Sequence, residues 1–358
     1  MHPWTDNRIH YRECASLVGA GFDVTLVAVE SVVDGLRDQV EVIEIPRLPR
    51  VKRLLLSSPR AIWIALRTGA DIFHLHDPEL VWAVPLLRAL RKKVIYDAHE
   101  DLPVQVVSKP YVNALARPFI VAAAHVVIAT ACLSSHIVVA TDVIAKRFPS
   151  RKTSLVRNYP PLRVEESVAP EVTDRMKAVV YVGGISSGRG AEVMVAAATE
   201  PTFPEGWRLT LAGAIPAQLQ AELEVHQGAE HTDFLGQIPP LEARDLLLNA
   251  RVGLVVLQDT PAYRDSLPTK MFEYFAAGVP VVASDFPLWR DIVTQHECGI
   301  LVDPSSPAKI AEAIRRYADD PQLLACHSRN ARRLAIEQLN WASEAQVLRD
   351  TYSRIAQL

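Results

Sequence analysis

A chain of 358 residues with 49% apolar and 22% charged residues is long enough for two cores, because single cores usually stop growing at about 250–300 residues. No apolar run approaches the ~18–20 residues of a membrane span; the longest, 119–130, is interrupted by His125. The net charge of −3 conceals a basic first half, with 20 Lys+Arg against 15 Asp+Glu in residues 1–160 and 18 against 26 in the remainder, yet the basic residues follow no nucleic-acid-binding motif. Cys14, Cys132, Cys298 and Cys326 show neither metal spacing nor a disulfide framework, and MHPWTDNRIH lacks an apolar signal region. A soluble, cytoplasmic protein is expected.

The first residues read as a loop followed by an amphipathic helix with Ile9, Cys14, Leu17 and Val18 on its apolar side, closed by Gly19 and Gly21. A strand over 23–28 follows. An open α/β sheet normally begins with a buried strand that feeds such a loop, and none stands before His2-Pro3-Trp4-Thr5-Asp6-Asn7-Arg8. A late start is therefore expected, with an unpaired edge on whichever strand neighbours the missing one.

Further strands are predicted at 40–45, 71–75, 93–97 and 125–130, separated by helical patterns near 54–68, 78–91 and 111–122. This alternation indicates a parallel sheet covered on both faces, with ligands at the carboxyl ends of its strands. Two polar clusters stand there: His74-Leu75-His76-Asp77-Pro78-Glu79 and Asp97-Ala98-His99-Glu100-Asp101. His74 and His76 share one strand face, the geometry of a metal pair, so a metal-dependent hydrolase is an alternative reading. Over residues 47–67, Arg47, Arg50, Lys52, Arg53, Arg60 and Arg67 interleave with Leu54, Leu55, Leu56, Ile62, Trp63 and Ile64. Such a segment suits an anionic membrane surface, or else a core helix with a solvated cationic face.

Residues 147–161 hold a short strand and a proline-bounded turn and are the expected linker, followed by a polar connection. A strand over 177–182 then enters the turn Gly183-Gly184-Ile185-Ser186-Ser187-Gly188-Arg189-Gly190, with a helix from Ala191. There backbone N–H groups can approach a phosphate, and Arg189 adds a bidentate donor. Strands are expected at 207–212, 252–257 and 298–302, and helices at 217–225, 241–249, 306–318, 320–337 and 340–356.

The stretch 264–286, RDSLPTKMFEYFAAGVPVVASDF, organises the rest. Pro268 is predicted at the first helical position. Thr269, Lys270 and Met271 then present free N–H groups at a positive helix end, an anion site suited to phosphate. Glu273 shares the helical face of Lys270, Asp265 lies in the preceding loop, and Gly278 with Pro280 ends the helix before the buried strand Val281-Val282-Ala283.

From HPWTDNR through HLHDPE, YDAHED, YVGGISSGRG and PTKMFEY to GILVDP, the chain resembles the retaining glycosyltransferases of family 4. The resemblance implies an α/β GT-B fold, two Rossmann-like domains with parallel sheets facing a central cleft. The acceptor-binding domain would span 1–160, the nucleotide-sugar-binding domain 161–338, and a helix over 339–358 would return to the first. It implies retaining transfer of a hexose from a nucleotide diphosphate sugar to an acceptor hydroxyl, in polysaccharide, glycolipid or glycoside biosynthesis, with no cofactor and no metal required. Partners would be the donor, a sugar or lipid-linked acceptor and the inner membrane leaflet through 47–67, with no nucleic acid.

The acidic pair of the family's donor signature falls on Asp265, where the family usually has Glu, and Glu273. Asp265 would hold the sugar and Glu273 the ribose. Arg189 and Lys270 would share the diphosphate and stabilise the charge that develops on it. Gly183, Gly184, Ser266, Leu267 and Thr269 would complete the donor site, with Phe234-Leu235-Gly236-Gln237-Ile238 beside the base. His99 would orient the sugar at the reacting carbon, and Asp6, Arg8, His76, Glu79, Glu100 and Asp101 would line the acceptor side. Alternatives on the same fold are a sugar-nucleotide epimerase or hydrolase and an inactive nucleotide-sugar-binding subunit.

Overall fold

The computed structural model describes residues 1–31, 37–107, 117–162 and 170–357. The chain forms two compact units, one of Met1–Asn158 with Trp341–Leu358 and one of Tyr159–Asn340.

In the first unit, β1 (Thr25–Val29) pairs in parallel with β2 (Glu41–Ile45). A separate parallel sheet contains β3 (Ile72–Leu75), β4 (Lys93–Ala98), β5 (His136–Val139) and β6 (Thr153–Leu155), in that order. Apart from one bridge between Pro3 and Val29, the second edge of β1 and that of β3 are unpaired among the described residues. The strands of the larger sheet are apolar on both faces, as a doubly covered parallel sheet requires. Phe73, Leu75 and Ile137 pack against Ile62 and Leu87, while Ile95 and Val138 pack against Leu17 and the helix Trp341–Ala356 through Trp341, Leu348 and Tyr352. Each such buried side chain contributes about 1.5–3 kcal/mol.

One predicted strand is overturned. Residues 125–130 lie inside the helix Arg117–Ala131, and the strand is β5, eleven residues later at its start. The run IVAAAHVVIATA is rich in alanine, the best helix former, and a continuous apolar run has no period that separates helix from strand. The β-branched Ile137-Val138-Val139, set off by Ser134 and Ser135, takes the sheet position instead. Residues 111–116 of the expected helix lie outside the described residues, as do 163–169 of the expected connection.

The second unit carries six parallel strands: β7 (Ala178–Val182), β8 (Arg208–Ala212), β9 (Thr232–Gly236), β10 (Val252–Val255), β11 (Val281–Ser284) and β12 (Gly299–Val302). Their order is β12-β11-β10-β7-β8-β9, so the winding reverses between β7 and β10. That crevice, at the carboxyl ends of the two strands, is where open α/β sheets bind ligands. The helix Thr269–Ala276 lies behind it, burying Met271, Phe272 and Phe275 among Val255, Val281 and Trp289. Its Tyr274 hydroxyl accepts the N–H of Val182 at 2.9 Å, tying helix to β7.

Candidate functional site

The turn after β7 and the helix that follows β10 converge. Gly183 has φ +128°, and a Cβ there would lie 3.5 Å from Lys270 Nζ, so its backbone geometry excludes most side chains and leaves it bare beside the ammonium. Arg189 Nη1 donates to the Gly184 carbonyl at 2.9 Å, and Gly190, with φ +79°, turns the chain into the helix Ala191–Ala197. Lys270 Nζ donates to the Tyr181 hydroxyl, which in turn donates to Gly184 O at 2.9 Å. Burial, reinforced by the Arg189 guanidinium, draws the Lys270 ammonium down to about 7, and burial pushes the Tyr181 phenol up to about 12.

Pro268 is not the first helical residue. Its ψ of 114° is extended and the helix begins at Thr269, because the Pro268 carbonyl accepts the Met271 N–H at 3.0 Å and so holds the capping position. Met271 is thereby removed from the expected donors, leaving the N–H groups of Thr269 and Lys270 at the positive end of the helix. Glu273 is half-buried on the face of Lys270. Asp265 is exposed and closes the short helix Pro261–Arg264. Ser266 donates its hydroxyl to Tyr263 O at 2.9 Å and accepts the Trp289 indole N–H on its carbonyl at 2.7 Å, while Leu267 packs at the edge of the same core. The loop bearing Asp265 is therefore clamped at its neighbour.

In the first unit a buried charge cluster lies under the ends of β3 and β4. Arg8 forms a two-pronged pair with Asp97, Nε to Oδ2 at 2.9 Å and Nη2 to Oδ1 at 3.0 Å, and its Nη1 donates to Val156 O at 3.0 Å. Glu13 Oε1 is 3.0 Å from Arg8 Nε. His76 Nδ1 and His99 Nδ1 lie 3.2 and 3.6 Å from Asp97 Oδ2, and the Tyr352 hydroxyl meets His74 Nδ1 at 2.9 Å. Although burial opposes it, Arg8 and His76 hold Asp97 well below the usual carboxylate range. Burial lifts Glu13 to about 7 against the pull of Arg8. Burial, with His76 beside it, holds His74 well below the ordinary imidazole value.

Ligand atoms of Glu13, His74, His76 and Asp97 come within 4.8 Å of one another, a donor set that a divalent ion accepts. The Arg8 guanidinium already stands between the two carboxylates and supplies the positive charge they need, so the set as folded is an ion-pair cluster.

The residues expected along the acceptor side divide accordingly. Arg8 is 5% exposed and faces inward, its guanidinium consumed by Asp97, so it is a positioning group and not a surface contact. Asp6 spends Oδ1 on the N–H groups of Arg8 and Ile9, both at 2.9 Å, capping the first helix. Glu79 is paired with Arg53, 2.9 Å away, and with the Met1 amine. His76 is inside the cluster, Asp101 pairs with Arg147 at 2.8 Å, Glu100 is exposed, and His99 is half-buried beside His2.

Glu13 and Tyr181 escaped the sequence reading. Glu13 lies four residues from Ile9 and so on the apolar side of the first helix, a signal that was present. Tyr181 gave none, since it is one of several apolar residues in its strand.

Parallel sheets in two Rossmann-like units, with a topological switch crevice in the second, define a GT-B glycosyltransferase fold. Residues 165–334 match the model described as Glycosyl transferases group 1 and residues 8–148 that described as Glycosyltransferase Family 4; the chain belongs to these family 4, group 1 glycosyltransferases. It is 24% identical over 206 residues to the lipopolysaccharide core biosynthesis mannosyltransferase LpcC of Rhizobium leguminosarum bv. viciae, covering 55% of this chain and 56% of that protein. It is 27% identical over 178 residues to a D-inositol 3-phosphate glycosyltransferase of Pseudarthrobacter chlorophenolicus, covering 49% and 42%. The chain thus spans about half the length of the curated relatives it matches. Sucrose-phosphate synthase of Thermosynechococcus elongatus has the same fold, with a TM-score of 0.73, 20% identity and coverage of 96% of this chain and 91% of that one.

Proposed function

We propose that the second unit binds a nucleotide diphosphate sugar at the carboxyl ends of β7 and β10, and that the protein moves its hexose to an acceptor hydroxyl with retention. The observation that carries this reading is the convergence of Arg189, Lys270, the bare backbone at Gly183 and the start of the helix Thr269–Ala276 on one crevice. Cleavage of the sugar–phosphate bond places negative charge on the diphosphate. Two cations and two N–H groups aimed there stabilise that charge more in the transition state than in the ground state, which is what accelerates a reaction. The same groups replace the charge of a metal ion, so no metal is required in this proposal. Glu273 is assigned to the ribose diol, Asp265 to sugar hydroxyls and His99 to orientation of the sugar. The leaving diphosphate accepts the acceptor's proton as the new glycosidic bond forms on the face the diphosphate vacates.

The test is a thermal-shift screen with UDP, GDP, ADP and dTDP and their hexose derivatives. Binding to the folded state raises Tm by mass action. One base class should do so, Lys270→Ala and Glu273→Ala should abolish the shift, and product analysis with an acceptor should show a glycoside and not an epimer or free sugar. No shift with any nucleotide would overturn the donor site.

The helical segment Arg50–Arg67 supports a membrane-facing acceptor. Val51, Leu55, Leu56 and Trp63 are 70, 66, 58 and 57% exposed, the Arg67 guanidinium lies over the Trp63 ring at 4.6 Å, and no described helix is long and apolar enough to cross a membrane. A basic surface with exposed apolar side chains fits the boundary of an anionic leaflet.

A further inference from the structure

A cavity of about 470 Å³ opens in the second unit at the C-terminal end of the helix Thr269–Ala276. Eight residues of helix rise about 12 Å, so the cavity stands a full helix length from the turn that carries Lys270. Its wall holds four arginines: Arg175 from the segment before β7, and Arg329, Arg332 and Arg333 from the helix Pro321–Glu337. Those three are spaced three and four positions apart and so share one helical face.

Arg175 is 6% exposed. Its Nε donates to Pro170 O at 3.0 Å and its Nη1 to Ala277 O at 3.0 Å, while Arg332 Nη1 donates to Ala276 O. Two guanidiniums thus cap the negative end of the helix. Capping does not account for the rest of the cluster. The bonds of Arg175 use Nε and Nη1 and leave Nη2 without a partner among the described residues. Gly278 lies over that nitrogen, and a Cβ there would come 3.5 Å from it and 3.6 Å from Ser328 Oγ. Its φ of +65° favours glycine, so no side chain covers the guanidinium.

Arg329 and Arg333 are exposed at the mouth, and among the described residues no carboxylate pairs with them or with Arg175. Glu171 and Glu337 also line the cavity, leaving four guanidiniums against two carboxylates. Burial draws Arg175 down to about 10 although Glu171 opposes it, and Arg332 adds to the effect, so the charge there is under-compensated. A carboxylate brings one charge in one plane and satisfies a single fork, whereas cations arriving from two chain segments suit a tetrahedral dianion. The volume is that of a small-molecule pocket and not of a lone ion, and Val172 with Ile336 adds an apolar wall.

We propose that this cavity binds a small phosphate monoester, its phosphate held by Arg175 Nη2, Arg329 and Arg333 and its organic part laid against Val172 and Ile336. The site is separate from the donor crevice, and nothing in the proposal depends on which nucleotide binds there.

The test is calorimetry with phenyl phosphate and with ribose 5-phosphate, beside inorganic phosphate, near pH 8, where the phosphate carries two charges. At least one ester should bind with a Kd of about 1 mM or tighter, and more tightly than inorganic phosphate. Arg329→Gln with Arg333→Gln should weaken that binding at least about tenfold with Tm nearly unchanged, since both side chains are exposed. Lys270→Ala should leave it intact. In the parent protein the Arg175 Nε–Hε resonance should shift as the ester is added, a readout that needs no variant. Binding of neither ester, an Arg175 resonance that stays fixed at saturation, or inorganic phosphate binding as tightly as both esters would each overturn the proposal. So would binding that Lys270→Ala abolishes and the double variant keeps, which places the ester in the donor crevice.

Discussion

The Lys270 ammonium stands 3.7 Å from the centre of the Tyr181 ring and donates to its hydroxyl, so the cation at the head of the helix Thr269–Ala276 is held by a residue of β7. The pair fixes the charge over Gly183, and burial brings its pKa to about 7.

Near neutral pH, Lys270 is therefore partly deprotonated, and a bound diphosphate would restore its proton. Affinity for the nucleotide that binds should fall as pH rises above about 7, by up to about tenfold per unit. Calorimetry in HEPES and in Tris at pH 8 should show proton uptake on binding. Uptake in Lys270→Met equal to that of the parent protein would remove this lysine from the diphosphate.

The same shift acts on stability. In the folded state the Lys270 pKa lies below its unfolded value of 10.5, so the unfolded state binds more protons between about 7 and 10.5. Stability from this group rises with pH across that window and is least below it. Lys270→Met should raise Tm below pH 7, with the gain shrinking toward pH 10.5. A gain independent of pH would mean that packing, and not the charge, sets the effect.

Within the first unit, Arg8→Met strands Asp97 without its guanidinium. Urea unfolding should show a loss of about 3–5 kcal/mol, the cost of breaking a buried pair from one side. Glu13 behaves oppositely: burial lifts its folded pKa to about 7, above its ordinary value of 4.5, so its contribution is lost as pH rises from 4.5 through 7. Glu13→Gln should be close to neutral at pH 5 and stabilising at pH 8. A large loss at both would show that the carboxylate is needed charged.

On the surface, replacing Val51, Leu55, Leu56 and Trp63 together by Ser should abolish sedimentation with vesicles containing anionic phosphatidylglycerol and leave Tm nearly unchanged. The parent should bind those vesicles less at high salt, because screening weakens its arginines, and should not bind pure phosphatidylcholine. Equal binding by the variant would dismiss the surface.

Much of the fold was legible because the signals were local. Helical spacing places Lys270 and Glu273 on one face, and a glycine-rich turn after a short apolar strand marks the crevice. The helix Arg117–Ala131 misled because alanine and valine without a period specify burial and not geometry. The ion-pair cluster was hidden for a different reason. Arg8 and Asp97 are 89 positions apart, and nothing in the loop HPWTDNR distinguishes an arginine that will be desolvated from one that stays in water. Only the packing of the first helix against the ends of β3 and β4 decides that.

The helix Trp341–Ala356 belongs to the unit formed by the first 158 residues, sealing Leu17, Ile95 and Val138. On the ribosome, that unit must wait for the helix Trp341–Ala356 while Tyr159–Asn340 emerges whole, a delay on the order of 10–40 s at ordinary synthesis rates. The second unit can fold as it emerges; the first is completed only once residues 341–356 have been made, and its uncovered sheet is the surface that a chaperone would meet until then.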